Sequence, residues 1–306
     1  MIVRYAVKRS ARGRLQHVLL YNYIFKNKKA AAVLAKTQGV VLRETKFRDQ
    51  SKICSLYTRD FGRISVILKG GRNPKNRLSG IFSTGNLLEI VIYRKEHRDI
   101  QLVSEARIVH SPMAAEPDLE RYSALYQLIE TVKSTTGGEE RNTRLFDALA
   151  ATIERLCAPA GDGDILLAWF MLRLIAALGF EPSLDRCVLT GREILPLARE
   201  GALDRLFLLY EPGGVAVAPK GAASGTDRQL LPLPAYLLMT ALRDIDIRSI
   251  DNLEPSGNTG KQLCDILQNY CARHGEHEPR PKNRAVITQI LSDPGHQGQH
   301  DVRKQK

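Results

Sequence analysis

Carboxylates are missing from residues 1–35, a stretch that carries eight Lys and Arg. Cysteine is scarce: Cys54, Cys157, Cys187, Cys264 and Cys271 are odd in number and far apart. That spacing excludes a disulfide framework and predicts reduced thiols in a cytoplasmic protein. A secretory signal is lacking, because "VLLYNYIF" (18–25) is short and has no small-residue cleavage site after it. A membrane span is lacking as well. The most apolar run, "DILLAWFMLRLIAALGF" (164–180), is too short and has Arg173 near its middle, so it predicts a buried core helix. Catalytic signatures are absent in turn. "GAASGTDR" has no lysine for a phosphate loop, and "GNTGKQL" has the wrong spacing. The seven histidines form no H-E-x-x-H, and neither a G-x-S-x-G elbow nor a paired-carboxylate nuclease pattern stands out. No enzyme, no metal and no cofactor is expected, and no internal repeat is visible.

What the chain does have is positive charge, unevenly placed. Its 306 residues suffice for two ordinary domains, and 43% hydrophobic with 25% charged residues is a globular composition. The net charge of +12 favours an anionic partner. Residues 36–112 hold fifteen basic and seven acidic residues, whereas 113–272 hold fifteen basic and twenty-two acidic. The excess therefore lies in the first third, as in a polyanion-binding module joined to a body with another task.

The pattern of residues 36–112 is that of short strands. "TQGVVLRETKF" (37–47), "SKICSLYT" (51–58), "RISVILK" (63–69), "NLLEIVIYRK" (86–95) and "IQLVSEARIVH" (100–110) have β character, and most are separated by turns. Five strands in about 75 residues suggest a small closed barrel of the oligonucleotide-binding (OB) type, with an SH3-like barrel as the alternative. From Pro112 the period becomes helical. Helices are expected over 118–134, 141–157, 164–180, 233–245 and 259–275, with an irregular insert at 187–219. The fold class is α+β: an N-terminal OB barrel, then a helical domain over 113–275. Residues 276–306 are polar and predict a disordered tail. Residues 1–35 fit a nucleic-acid-binding arm, a transit-like peptide, or translated sequence upstream of the true start.

The sharpest local feature is "RISVILKGGRNPKNR" (63–77). Ile64, Val66 and Leu68 alternate as one face of a strand, and two glycines then open a loop holding Lys69, Arg72, Lys75 and Arg77 with no acid among them. Glycines let a backbone approach a bulky anion, and such cations neutralise successive phosphates. Arg43, Arg48 and Arg63, with Lys46, Lys52 and Arg59, could extend the patch. Phe47, Tyr57, Phe61 and Tyr93 are candidate stacking platforms, although core packing is the simpler role for each. The competing reading of the loop is a solvated hairpin whose charges keep a sheet edge soluble.

The strand entry "GVVL", the run "SLYTRDFGRISVILKGGRNPKNRLSG" and "LVSEARIV" ahead of a helical body resemble the RecO family of bacterial recombination mediators. The likeness is strongest at Thr58, Gly62, Lys69, Gly70 and Arg72. The resemblance implies an OB domain that binds single- and double-stranded DNA and anneals complementary strands. It also implies partners: RecR, the single-stranded DNA-binding protein SSB with its acidic tail, and through them the recombinase RecA, in a cytoplasmic, nucleoid-associated setting. Some members of the family carry a four-cysteine zinc site in the helical domain. Here Cys187 keeps one ligand position, while Thr190, Ala216 and Pro219 occupy the others, so a metal-free, zinc-finger-like insert is expected. Arg173, Arg186 and Arg205 are cations available to the SSB tail, but ordinary surface roles are preferred for them. Two other readings fit the same features: a general RNA- or DNA-binding OB protein, and a scaffold whose barrel docks an acidic protein.

Overall fold

A computed structural model describes residues 33–47, 50–73, 75–76, 78–95, 98–114, 118–158, 161–199, 205–218 and 225–274. The expectations for residues 1–32 and for the tail from 275 lie outside the described residues. Five strands close a barrel in the order β1-β2-β3-β5-β4: β1 (Val33–Phe47), β2 (Ser51–Thr58), β3 (Gly62–Leu68), β4 (Leu87–Arg94) and β5 (Ile100–His110). Neighbours are antiparallel except β3 and β5, which run parallel from Ser65↔Ile100 to Ile67↔Leu102. This is the OB arrangement rather than the SH3-like alternative. β1 starts four residues earlier than its local pattern indicates, because Val33–Lys36 pair with Val91–Arg94 of β4.

Alternation in β3 puts Ile64, Val66 and Leu68 inside the barrel with Cys54, Leu56 and Ile90. Phe82, from the long β3–β4 connection, joins this core and is fully buried. Burial pushes the Cys54 thiol up to about 12, so it is a small core residue and no nucleophile. In β1 the register shifts between Val41 and Arg43. The extra residue lets Leu42 join the core shared with the helices while Arg43 opposite Ser55 stays exposed on the outer face.

The body contains α1 (Leu119–Thr135), α2 (Thr143–Leu156), α3 (Gly163–Leu178), α4 (Ile194–Arg199), α5 (Leu233–Asp244) and α6 (Thr259–His274). Asp118, Asn142 and Asp162 cap the first three by accepting backbone N–H groups, and Gly179 ends α3 in the left-handed conformation. The apolar run is the central helix α3, in contact with α1, α2, α5 and α6. No helix among the described residues is long and apolar enough to cross a membrane. Arg173 lies over the Trp169 ring and donates to the carbonyls of Arg243 and Ile245 at the end of α5 (2.9 and 3.1 Å), a structural duty. Arg186 pairs with Glu193. The insert expected to be irregular carries the short α4 and two strands that join a third beyond it. β6 (Arg205–Leu209) pairs with β7 (Gly214–Ala218) and β8 (Arg228–Leu230) in a small antiparallel sheet, so the second domain is helical with a sheet at one end. These strands are only three to five residues long, too short for a sequence period to register.

Barrel and body share one core. Val40, Leu42, Tyr57 and Leu87 pack with the helices, and Tyr57 faces Phe146 at 6.4 Å. The barrel docks on the helical body here: Arg63 N–H at the start of β3 donates to Gly138 O of the α1–α2 loop (3.0 Å), Arg59 of the β2–β3 turn pairs with Asp147 of α2, and Arg94 at the end of β4 with Glu139. Gly62 makes that docking possible. Its φ is +63°, and an added Cβ would collide with the Glu140 backbone. Gly62→Ala is expected to cost at least about 2 kcal/mol, read as a lower urea midpoint at unchanged slope.

Candidate nucleic-acid interface

The β3–β4 connection is a tied structure, not a floppy hairpin. Gly70 adopts φ +68° at the exit from β3. Asn73 Oδ1 then accepts the Lys75 N–H, Asn76 Oδ1 accepts the Leu78 N–H, and Asn76 Nδ2 donates to Lys69 O (all 2.9–3.0 Å). Inside the loop, Lys52 is almost completely buried and donates to Glu44 (2.7 Å) and to Ser79 O (2.8 Å), while Glu44 also accepts the Thr84 N–H. Lys52 thus serves as a clasp between barrel and loop. The loop also meets the β1–β2 hairpin, since Arg72 N–H donates to Gln50 O at 3.0 Å.

This contact brings two basic segments to one end of the barrel. Lys69, Arg72 and Lys75 are exposed on the loop, with Lys46 exposed on the hairpin arm. Among the described residues Lys46, Lys69 and Lys75 form no ion pair; Arg48 and Arg77 lie outside the described residues. The remaining candidates separate. Arg59 is paired with Asp147, and Arg63 is turned to the helical body, donating to Ser55 Oγ (3.3 Å) and to the carbonyls of Lys133 (3.1 Å) and Thr136 (3.3 Å). Where β1, β4 and β5 adjoin, the cations are paired: Arg107 and Lys36 both hydrogen-bond Glu89 and hold its carboxyl below the usual carboxylate range. Of the aromatic candidates, Tyr57 is core and Phe61 lies beneath the Arg94 guanidinium, whereas Tyr93 is exposed and Phe47 half-buried.

A second feature was invisible in the sequence. Between the barrel face and the helical body runs a cavity of about 420 Å³, lined by Arg43, Thr45, Ile53, Ser55, Arg63 and Ser65 from β1–β3 and by Gly138 from the body. No carboxylate among the described residues lines it. Only Arg43 and Arg63 could be suspected from sequence; the hydroxyls look like ordinary polar positions of half-buried strands, and Gly138 arrives from 70 or more residues away.

At the zinc-finger-like insert only Cys187 offers a sulfur donor among the described positions. Cys187 Sγ accepts the Val217 N–H at 3.3 Å. Burial raises the thiol, but hydrogen bonds from Thr190 and from backbone N–H groups of Val217, Leu189 and Thr190 outweigh it and the net shift is downward. Thr190 and Ala216 offer no metal-binding sulfur, Pro219 lies outside the described residues, and no cluster of three His, Cys, Asp or Glu exists among the described residues. The residues do not fit zinc. Incubation with a strong chelator is expected to leave the thermal midpoint unchanged within about 1 °C, whereas structural zinc sites unfold on metal removal.

A closed OB barrel with a cation-bearing end, joined to a helical body through a shared core, defines the class: an OB-barrel protein with a helical body. Residues 32–112 match the family described as recombination protein O N terminal, and residues 116–284 the one described as recombination protein O C terminal. The chain is 58% identical over 259 residues to the DNA repair protein RecO of Chlorobium phaeobacteroides (strain BS1), covering 85% of this chain and 99% of that relative. The corresponding figures are 49% over 262 residues, with 85% and 99% coverage, for the Prosthecochloris aestuarii protein, and 31% over 263, with 85% and 100%, for that of Chloroherpeton thalassium, both also named DNA repair protein RecO. This chain belongs to the RecO family.

Proposed function

We propose that this protein is a non-enzymatic DNA-repair and recombination mediator that holds single- and double-stranded DNA on its barrel and anneals complementary strands. The observation that carries the reading is the meeting of the basic β3–β4 loop with the β1–β2 hairpin at one barrel end, where Lys46, Lys69 and Lys75 have no carboxylate partner among the described residues. Unpaired cations beside one another suit a row of phosphates, whose condensed counterions are released on binding. Two strands held on one positive surface repel each other less, and pairing speeds up without a chemical step. The acidic helical body suits protein docking better than DNA. Family membership supports RecR and the SSB tail as its partners and RecA as the recombinase that is loaded.

The test is annealing of complementary oligonucleotides coated with SSB, with and without RecR. Wild-type protein is expected to accelerate pairing, and the Lys69, Arg72, Lys75 and Arg77 alanine variant to be inert while folding normally. A folded variant that anneals as well as the wild type would refute the assignment. An equal-length RNA bound much more tightly than DNA would favour the general RNA-binding reading instead.

A further inference from the structure

One residue at the cation-bearing barrel end runs against the charge pattern. Glu44 stands on β1 two residues before Lys46 with its side chain a third exposed, where a carboxylate should repel phosphates. We propose that Glu44 and Lys52 are positioning residues for DNA: their ion pair holds the basic β3–β4 loop in its binding shape, so this acidic side chain raises DNA affinity. The proposal rests on the DNA-binding reading of the loop and names what keeps the loop ready.

Placement is the first argument. Alternation puts Lys52 on the buried face of β2, in line with Cys54 and Leu56, at the end of the barrel that the loop covers. An ammonium there needs a counter-charge and further acceptors. Its Nζ donates to Glu44 Oε2 (2.7 Å) and to Ser79 O (2.8 Å), and Glu44 Oε1 accepts the Thr84 N–H (3.1 Å). The Lys52 stem meets the other end of the loop, because a Cβ added to Gly71 would come within 3.0 Å of its Cγ. A single pair therefore touches the loop near its start, middle and end, at Gly71, Ser79 and Thr84.

Energetics is the second. An ion pair largely withdrawn from water adds little net stability, since desolvation offsets the attraction, but it tolerates few geometries. Its summed charge is zero, so it adds nothing to the attraction for a polyanion. What it supplies is alignment. Lys46 is the cross-strand partner of Lys52, and the Arg72 N–H reaches Gln50 O of the β1–β2 hairpin. Loop and hairpin cations thus share one frame, and the pair fixes it. Uncharged side chains of similar volume would keep the barrel closed but release the hold on Ser79 and Thr84.

The experiment is fluorescence anisotropy with a blunt duplex over a salt series, using the full chain, beside the rate of trypsin cleavage within residues 69–77. Glu44→Gln adds one positive charge to the patch, so charge alone predicts tighter binding. The positioning role predicts binding about threefold weaker, because a loosened loop must be ordered on DNA. That variant leaves the Lys52 ammonium without its counter-charge, so the pair is also replaced as a unit, Glu44→Gln with Lys52→Met, at unchanged net charge. The double replacement is expected to weaken binding about tenfold and to lower the logarithmic salt slope by about 0.9, one duplex phosphate contact. Its thermal midpoint should stay within about 3 °C of wild type, while trypsin cuts the loop about tenfold faster. In the background of alanine at Lys69, Arg72, Lys75 and Arg77, read at low salt, it should change affinity by less than about twofold. Tighter or unchanged binding by Glu44→Gln, an unaccelerated cut, or a loss undiminished in the loop-alanine background would overturn the positioning role alone. A wild-type chain that binds no duplex, or a loop-alanine variant that binds as well as wild type, would overturn the parent reading and this one with it.

Discussion

Alanine at Lys69, Arg72, Lys75 and Arg77 together is expected to weaken DNA binding on the order of 10³-fold at 0.1 M salt. Each cation on a duplex phosphate contributes about 0.9 to the slope of log K against log salt, so four contacts remove about 3.6. The effect should be the same for every sequence, because phosphate contacts carry no base information. Stability should move by no more than about 0.5 kcal/mol. Lys69, Arg72 and Lys75 are exposed, and the Asn73 and Asn76 turns that shape the loop remain. A salt titration by anisotropy checks both parts. A variant that loses affinity but keeps the wild-type slope has been damaged in some way other than lost charge.

Phe82→Ala is expected to cost about 3–5 kcal/mol, a large share of a typical domain's stability. Phe82 is fully buried in the barrel core although it belongs to the loop that carries the cations. Its neighbours Leu78 and Ile81 pack against the same core, and the Lys52–Glu44 pair clasps Ser79 and Thr84. The loop's shape and the barrel's stability are therefore one structure. Denaturant unfolding measures the loss, and DNA affinity should fall with it even though every cation is intact. Phe82→Leu, which keeps most of the volume, should restore most of both.

Much of the fold is legible in the sequence because it is set by local periods. Alternation defines β2 and β5 at their observed limits, and the helical period locates α1–α3 within one or two residues. The basic loop is equally local, since its glycines and cations are consecutive. What was not legible depends on distant partners. The first residues of β1 are a strand because β4 pairs with them, and the insert becomes a sheet through β6, which neither β7 nor β8 could specify alone. Above all, sequence cannot show which cations are already paired. Arg59 meets Asp147 across 88 residues, Lys52 is buried on Glu44, and Arg63 reaches carbonyls 70 and 73 residues away. A list of arginines and lysines on neighbouring strands therefore overstates how many of those cations are unpaired.

Lysine footprinting tests the central claim most directly: acetylation of the protein, free and bound to DNA, read residue by residue. The account predicts that DNA protects Lys46, Lys69 and Lys75, while Lys36, paired with Glu89, and Lys261 on the helical body stay reactive. Protection of Lys36 or Lys261 with Lys69 and Lys75 still open to acetylation would contradict it.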